Sequence, residues 1–391
     1  MSSNGIRDRV AIVGMGCTPF GERWDKSAAD LLVDAAHDAY ASAGIEQDQV
    51  DAYWLGTLSS GISGLMASDP LKIQYKPVTH VENMCATGSE AIRNAAYAVA
   101  SGAYDLVCAI GVEKLKDSGF SGLTRSGPPT DGTGSSLTAP ANFSLLAPAY
   151  AEKYGVEQDT LKEVISRIAY KNHANGAKNP KAQFQKEVPM EKIMASPKVA
   201  GMLGIMDCSG VSDGAAAAII CRAEDAHKYT DNPIFIKALS FVSGPSEGAK
   251  RQDYDYTSFT EVVASAEDAY KQAGVENPRE EISMAEVHDC FTPTELVLME
   301  DLGFSPRGQA WQDTLEGRFD LDGAQPVNPD GGLKSFGHPI GASGLRMMYE
   351  MWLQLRGEAG DRQIDEPKLG LTHNLGGAPG SCVSFVSIVG R

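Results

Sequence analysis

The sequence has no apolar run of the roughly 18 residues that a membrane-spanning helix requires, and its start, MSSNGIRDRVAIVG, lacks the charged-then-apolar order of a secretion signal. Basic residues are in deficit: 34 Lys and Arg stand against 51 Asp and Glu, a formal charge of −17. With a pI near 4.9 the chain offers no basic stripe to track a phosphate backbone, which argues against nucleic acid as a partner. Cysteine is sparse and scattered, at positions 17, 85, 108, 208, 221, 290 and 382, with no CxxC pair. Neither a disulfide framework nor a structural zinc site is expected, and a reducing cytoplasm is the expected compartment. His37, His80, His173 and His227 form no HExxH-like set, so no metal centre is expected either.

Two familiar motifs fail on inspection. GMGCTPFG (14–21) has Pro19 where the third Gly of a dinucleotide fingerprint belongs. GVSDG (210–214) fits a GxSxG elbow in form, but AAAAIIC follows it, a buried strand rather than the required helix. The densest cationic run, KNHANGAKNPK (171–181), reads by itself as a solvated loop rather than a phosphate site.

What is present is an ordinary globular composition, 42% hydrophobic over 391 residues, and a faint internal duplication. AAHDAYASAGIE from Ala35 resembles SAEDAYKQAGVE from Ser265, 230 residues later, each an apolar-periodic helix closed by a Gly at Gly44 or Gly274. CATGSEAIR from Cys85 lies over HPIGASGLR from His338, 253 residues later. Two matches in one order, at similar offsets, make Cys85 and His338 equivalent points of two halves, each just ahead of a helix. The chain divides accordingly into an N-terminal half (1–117 plus 210–228), an inserted loop or lid segment (118–209) that opens rich in Gly, Ser and Pro, and a C-terminal half (229–391).

Cys85 follows a β-like run and precedes a helix whose Thr87 and Glu90 have capping-box spacing. The free N–H groups of that helix are expected to lower the thiol pKa and favour the nucleophilic thiolate. His338, between glycines in GGLKSFGHPIGASG, is the matching base. HDCF puts His288 and Cys290 at a strand end, before a Thr292-Pro293-Thr294-Glu295 capping box. By pattern alone, a reactive pair and a plain turn with a buried thiol are equally good readings of it. HNLGG (373–377) reads as a Gly-containing turn between two β-like runs, able to aim backbone N–H groups at an oxyanion.

Taken in order, NMCATGSEA, NHANGAKNPKAQF, DCSGVSDGAAAAI, HDCF, GHPIGASG and NLGG resemble the thiolases, over essentially the whole chain and most closely in the sterol carrier protein and archaeal branch. The resemblance implies a duplicated five-layered αβαβα fold with a loop domain over an acyl-CoA tunnel. It further implies a dimer, coenzyme A as co-substrate and no tightly bound cofactor. Residue by residue, it implies Cys85 as the acylated nucleophile, His338 as its activator, and His288 with His338 as an oxyanion hole. Asn374 stands where better-known thiolases carry a second, acid/base cysteine; in this branch Cys290 inherits that role. Gly376 matches the Gly whose N–H joins that of Cys85 in a second oxyanion hole. Some members need a separate small OB-fold, zinc-ribbon acyl-CoA-binding subunit. A finer likeness, to the large subunit of benzoylsuccinyl-CoA thiolases, implies an aromatic substrate. The alternatives are a ketosynthase-like condensing acyltransferase, which needs no second thiol, and a catalytically silent acyl-CoA or lipid carrier.

Overall fold

A computed structural model describes residues 5–118, 138–246, 248, 251 and 253–391. Most of the Gly-, Ser- and Pro-rich opening of the expected insertion, 119–137, lies outside the described residues. The strands are β1 (Val10–Cys17), β2 (Ala52–Gly56), β3 (Val78–Val81), β4 (Leu106–Glu113), β5 (Lys198–Ala200), β6 (Leu203–Gly204), β7 (Gly214–Arg222), β8 (Ile234–Ser243), β9 (Met284–Glu286), β10 (Leu369–Ala378) and β11 (Ser381–Gly390). β5 and β6 form a small hairpin, and the others join in the order β3-β2-β4-β7-β1-β8-β11-β10-β9.

That order is two copies of one pattern. In the first half β2 and β4 run parallel, β7 is antiparallel to β4, and β1 is antiparallel to β7. In the second, β9 and β10 run parallel, β11 is antiparallel to β10, and β8 is antiparallel to β11. The halves touch at the β1–β8 seam through Ala11–Phe235 and Ile12–Ile234. The edge strand β3 has a counterpart reduced to one parallel bridge, Ala285 to Val327.

Strands such as β1 and β4 are buried along their whole length, which is why they read as continuous apolar runs. The Ala28–Ala43 helix packs outside β1 and β7, and the Thr260–Ala273 helix outside β8 and β11. Both outer helices end on a left-handed glycine, Gly44 and Gly274, at φ 66° and 70°. Between the two half-sheets lie the Thr87–Ala100 and Ile340–Arg356 helices, completing the five-layered αβαβα thiolase fold. The GxG of β1 is explained by packing: a Cβ at Gly14 would stand 2.6 Å from the Ala39 carbonyl oxygen of the outer helix.

The central helices cross backbone to backbone. A Cβ at Gly88 would lie 2.7 Å from the Gly341 carbonyl oxygen, and one at Gly341 would lie 2.6 Å from the Gly56 carbonyl oxygen. Gly88 and Gly341 are themselves 253 residues apart, so the repeat meets itself at this point.

Several local expectations are corrected. The capping box at Thr87 and Glu90 does not form: the Thr87 hydroxyl accepts from Asn83 N at 2.9 Å and donates to the Met84 carbonyl at 2.6 Å, while Glu90 pairs with Arg93. The box at Thr292 does not form either: the N-cap position falls on Phe291, the Thr292 hydroxyl donates to Asp207 at 3.3 Å, and buried Glu295 pairs with Lys171 at 2.9 Å. The 171–181 run is no solvated loop. Most of it closes the Gln158–Ala177 helix, with Lys171 and Asn172 buried. Asn175 and Asn179 donate to the carbonyls of Asn328 and Asp330 at 2.9 and 3.0 Å, riveting the helix to the second half. Nor is HNLGG a turn; it lies inside β10, paired residue for residue with β11. Among the described residues no helix is long and apolar enough to cross a membrane.

Because the crossing has no room for a side chain, Gly341→Ala is expected to lower stability by about 1–3 kcal/mol, the usual cost of overpacking. A urea midpoint equal to that of the parent protein would contradict this packing.

Candidate functional site

Cys85 is held by a tight elbow between β3 and the first central helix. Met84 adopts φ 51°, a left-handed conformation that a non-glycine residue holds only under constraint. The constraint is visible: Ala86 N donates to the Asn83 carbonyl and Thr87 N to the Met84 carbonyl, both at 3.1 Å, and Thr87 clasps the same two residues. Gly376 leans on this elbow from β10, where a Cβ would stand 2.5 Å from the Asn83 carbonyl oxygen. β9 pairs with Gly370, Leu371 and Thr372 of β10 and reaches no further, so the edge of β10 at Gly376 is not covered by that neighbour.

His338 sits at the equivalent helix start. Its backbone N donates to Ser212 Oγ at 3.0 Å, and its Nδ1 lies 2.7 Å from Ser343 Oγ. Its Nε2 is buried, with no hydrogen-bond partner among the described residues. The HDCF turn is fixed by Asp289, whose carboxylate accepts from Leu333 N at 2.6 Å, Lys334 N at 3.1 Å and Asn172 Nδ2 at 2.7 Å. One carboxylate thus binds the HDCF turn to the segment leading into His338. Beneath it, fully buried Arg346 bridges Glu286 at 2.5 Å and Asp330 at 2.6 Å.

These elements converge. Cys85 Sγ and one ring nitrogen each of His288 and His338 lie within 4.8 Å of one another. The two imidazoles meet edge to face, with centroids 5.5 Å apart. Cys290 is buried nearby, close enough for a charge on Cys85 to raise its pKa, with its Sγ 3.9 Å from Thr294 Oγ1 and its carbonyl accepting from Ser209 N at 2.9 Å. Asn374 is buried in β10, its Oδ1 accepting from Ser89 Oγ at 2.5 Å, and His373 beside it is a buried strand residue.

The electrostatics overturn one expectation. Burial, followed by the charges of Glu113 and Glu82, pushes the Cys85 thiol up to about 12, so the helix start does not produce a resting thiolate. Burial, then the Arg346 charge, pushes His338 down to about 3; burial and its histidine neighbours hold His288 well below the ordinary range. At neutral pH the three groups therefore rest as a thiol and two neutral imidazoles. Such a set can move the thiol proton to an imidazole as sulfur attacks, and can donate an N–H to a developing oxyanion. Two imidazoles and a thiolate would also suit zinc with water as fourth ligand; thiol acyl transfer uses the same groups without a metal.

Pattern reading missed the residues that orient these groups. Ser212 belongs to the GVSDG run that fails as an elbow, and Ser343 to a helix read only for its match to the one after Cys85. The spacing of Ser343 five residues after His338, one turn into the helix, is the signal that could have found it.

A duplicated fold with a Cys-His-His centre at its paired helix starts defines a class, the acyltransferases that work on thioesters. Comparison agrees: the N-terminal thiolase domain matches residues 10–224 and the thiolase C-terminal domain-like family matches 245–390. The chain belongs to the thiolase family and is an acyl-CoA acyltransferase. It is 38% identical to an acetyl-CoA acetyltransferase of Methanothermobacter thermautotrophicus, over 97% of this chain and 99% of that one. It is 35% identical to Sterol carrier protein 2 of Homo sapiens, over 94% of this chain and 70% of that one. Among solved structures, a chain of the Ltp2-ChsH2(DUF35) aldolase superposes with a TM-score of 0.82 at 25% identity, covering 99% of this chain and 98% of that one. These relatives support the archaeal and sterol carrier branch and give no support to a benzoylsuccinyl-CoA thiolase subunit.

With its thiol pushed up to about 12, Cys85 in the free enzyme is expected to alkylate with iodoacetamide at a rate that climbs about tenfold per pH unit from pH 6 to 9, following the thiolate fraction. Peptide mass mapping of Cys85 reads this rate, and a plateau near pH 7 would contradict the resting thiol.

Proposed function

We propose that the chain cleaves 3-oxoacyl-CoA by coenzyme A-dependent thiolysis through an acyl-Cys85 intermediate, or runs the same steps backwards as a Claisen condensation. The observation that carries this reading is the meeting of Cys85, His288 and His338 within 4.8 Å. Cys85 Sγ attacks the 3-oxo carbon while His338 Nε2 takes its proton, and the N–H groups of Cys85 and Gly376 receive the alkoxide. The C2–C3 bond then breaks, leaving acyl-Cys85 and an enolate whose thioester oxygen is held by His288 and His338. Cys290 donates a proton to C2 and becomes a thiolate. It recovers a proton from the incoming coenzyme A thiol, whose sulfur attacks acyl-Cys85; Cys85 leaves and is reprotonated by His338. Burial, followed by the Cys85 charge, holds the Cys290 thiol well above its ordinary value, which suits a proton donor.

Residues 118–209 serve in this reading as a lid, since its 183–188 and 205–209 stretches wall a cavity beside the HDCF turn. A homodimer is supported by the exposed apolar residues Leu58, Ile62, Leu65, Tyr75 and Met84, which crowd the segment around the open edge strand β3. The similar solved chain bears a name that pairs Ltp2 with ChsH2(DUF35), and by that analogy a small acyl-CoA-binding subunit of OB-fold, zinc-ribbon type is a second partner. All seven cysteines are free, in keeping with a reducing, cytoplasmic setting. Acetoacetyl-CoA is the first substrate to try, given the likeness to acetyl-CoA acetyltransferases, and benzoylsuccinyl-CoA the aromatic member of the panel.

Mass spectrometry after mixing with a 3-oxoacyl-CoA is expected to show an acyl adduct on Cys85, and Cys290→Ala is expected to lower turnover by roughly 100-fold or more, the scale of lost acid/base catalysis. Turnover without the adduct would sink the proposal. Near-full activity of Cys290→Ala would favour a ketosynthase-like enzyme, and tight binding without turnover a silent carrier.

A further inference from the structure

The cavity beside the HDCF turn has a volume of about 740 Å³, with Phe184, Val188, Ile205 and Met206 among its lining residues. Cys85, His288, Cys290 and His338 are not among its described lining residues, but two of its walls are joined through the backbone to the segments that carry them. Cys208 and Ser209 line it, and Ser209 N donates to the Cys290 carbonyl. Lys334 lines it too, four residues before His338 and tied through its own backbone N to Asp289.

Among the described residues, two polar side chains on this cavity lack hydrogen-bond partners. Lys334 is 2% exposed, and among the described residues its ammonium has no ion pair or hydrogen bond, only the Phe184 ring with its centroid 5.6 Å away. His173 is 3% exposed, and among the described residues neither ring nitrogen has a hydrogen-bond partner. Asp207 and Asp289 are near enough to attract the lysine but are already occupied. Asp207 pairs with Lys162 at 2.6 Å and accepts from Gly204 N at 2.7 Å; Asp289 accepts from two backbone N–H groups and Asn172. No carboxylate is among the described residues lining the cavity, while Lys116 and Lys186 also contribute to it. Burial pushes Lys334 down to about 8 and, with the Lys334 charge, His173 down to about 3, so at pH 7 the site presents an ammonium and a neutral imidazole. A buried ammonium of this kind is costly unless an anion meets it. Lys116 is paired with Glu22 at 2.7 Å and Lys186 is exposed, so Lys334 is the buried cation that the described lining leaves unmatched, in a chain of charge −17.

We infer that this cavity takes the acyl part of a thioester whose chain ends in a carboxylate, bound by Lys334 Nζ and the N–H of His173. The inference rests on the thiolase reading for the position of the thioester. The phosphates of coenzyme A lie a pantetheine's length from the thioester carbon, whereas Lys334 is anchored to the same Asp289 that fixes the HDCF turn. A single deep cation also matches one carboxylate better than it matches a diphosphate.

The test is calorimetric binding of adipyl-CoA, hexanoyl-CoA and free coenzyme A to the full-length Cys85→Ala protein, which cannot be acylated at residue 85. Adipyl-CoA is expected to bind about tenfold or more tighter than hexanoyl-CoA, and adding Lys334→Met or His173→Leu is expected to erase most of that difference while leaving free coenzyme A unchanged. Equal affinity for the two acyl-CoAs in Cys85→Ala overturns the inference without any Lys334 variant. Equal weakening of all three ligands by Lys334→Met also overturns it, by assigning the lysine to the phosphates. Binding needs no turnover, so failure of the thiolase reading, seen as no adduct on Cys85 in the parent protein, is read separately.

Discussion

The contact between Gly88 and Gly341 is the constraint on which the site depends. Each glycine lies three residues after a site residue, Cys85 or His338, and a Cβ on the first would stand 2.7 Å from the carbonyl of the second. Two helices can bring their N-terminal ends to one point only if their backbones approach this closely, and small residues at the crossing are what permit it. Gly344 against Ser89 and Gly111 against Gly341 extend the same seam. The Cys85 thiol and the His338 imidazole come from opposite halves of the chain, yet their separation is set by backbone rather than by flexible side chains.

Burial at that seam sets the chemistry. It keeps Cys85 a thiol and both histidines neutral, so no charge rests in the centre before substrate arrives. The charges required to hold the surrounding turns are placed one layer out, in Arg346 with Glu286 and Asp330, and in Lys171 with Glu295. Asp289, pushed up to about 7 by burial and then by Glu295, nonetheless collects three N–H donors and locks the HDCF turn to the start of the His338 segment. A polar network this deep contributes little net stability but leaves few alternative arrangements of the turns it joins.

Much of this was legible in the sequence because the duplication is periodic and the halves keep their glycines. The outer helices, the Gly44 and Gly274 stops and the matching of Cys85 with His338 follow from spacing, and β7 follows from its apolar run. Three-dimensional context decided the rest. Helix-start reasoning predicts an activated thiolate at Cys85, but it counts only the local N–H groups and not the desolvation that outweighs them. Thr87 and Thr292 have the right neighbours for capping boxes, yet Glu90 and Glu295 find stronger partners in Arg93 and Lys171. The 171–181 run looks solvated in one dimension because its partners, Glu295, Asn328 and Asp330, lie more than a hundred residues away. HNLGG looks like a turn because glycine is common in turns, whereas Gly376 is needed for the close approach of the Cys85 elbow.

The central claim is that Cys85 gives up its proton to His338 in the act of attack, rather than waiting as a thiolate. Single-turnover acylation of Cys85, followed by quenched-flow mass spectrometry in the parent protein and in His338→Ala, tests it directly. The account predicts that the variant acylates roughly 10²–10⁴ times more slowly, the range for a lost general base, and that added imidazole restores part of the rate. Acylation by His338→Ala at the parental rate would contradict it.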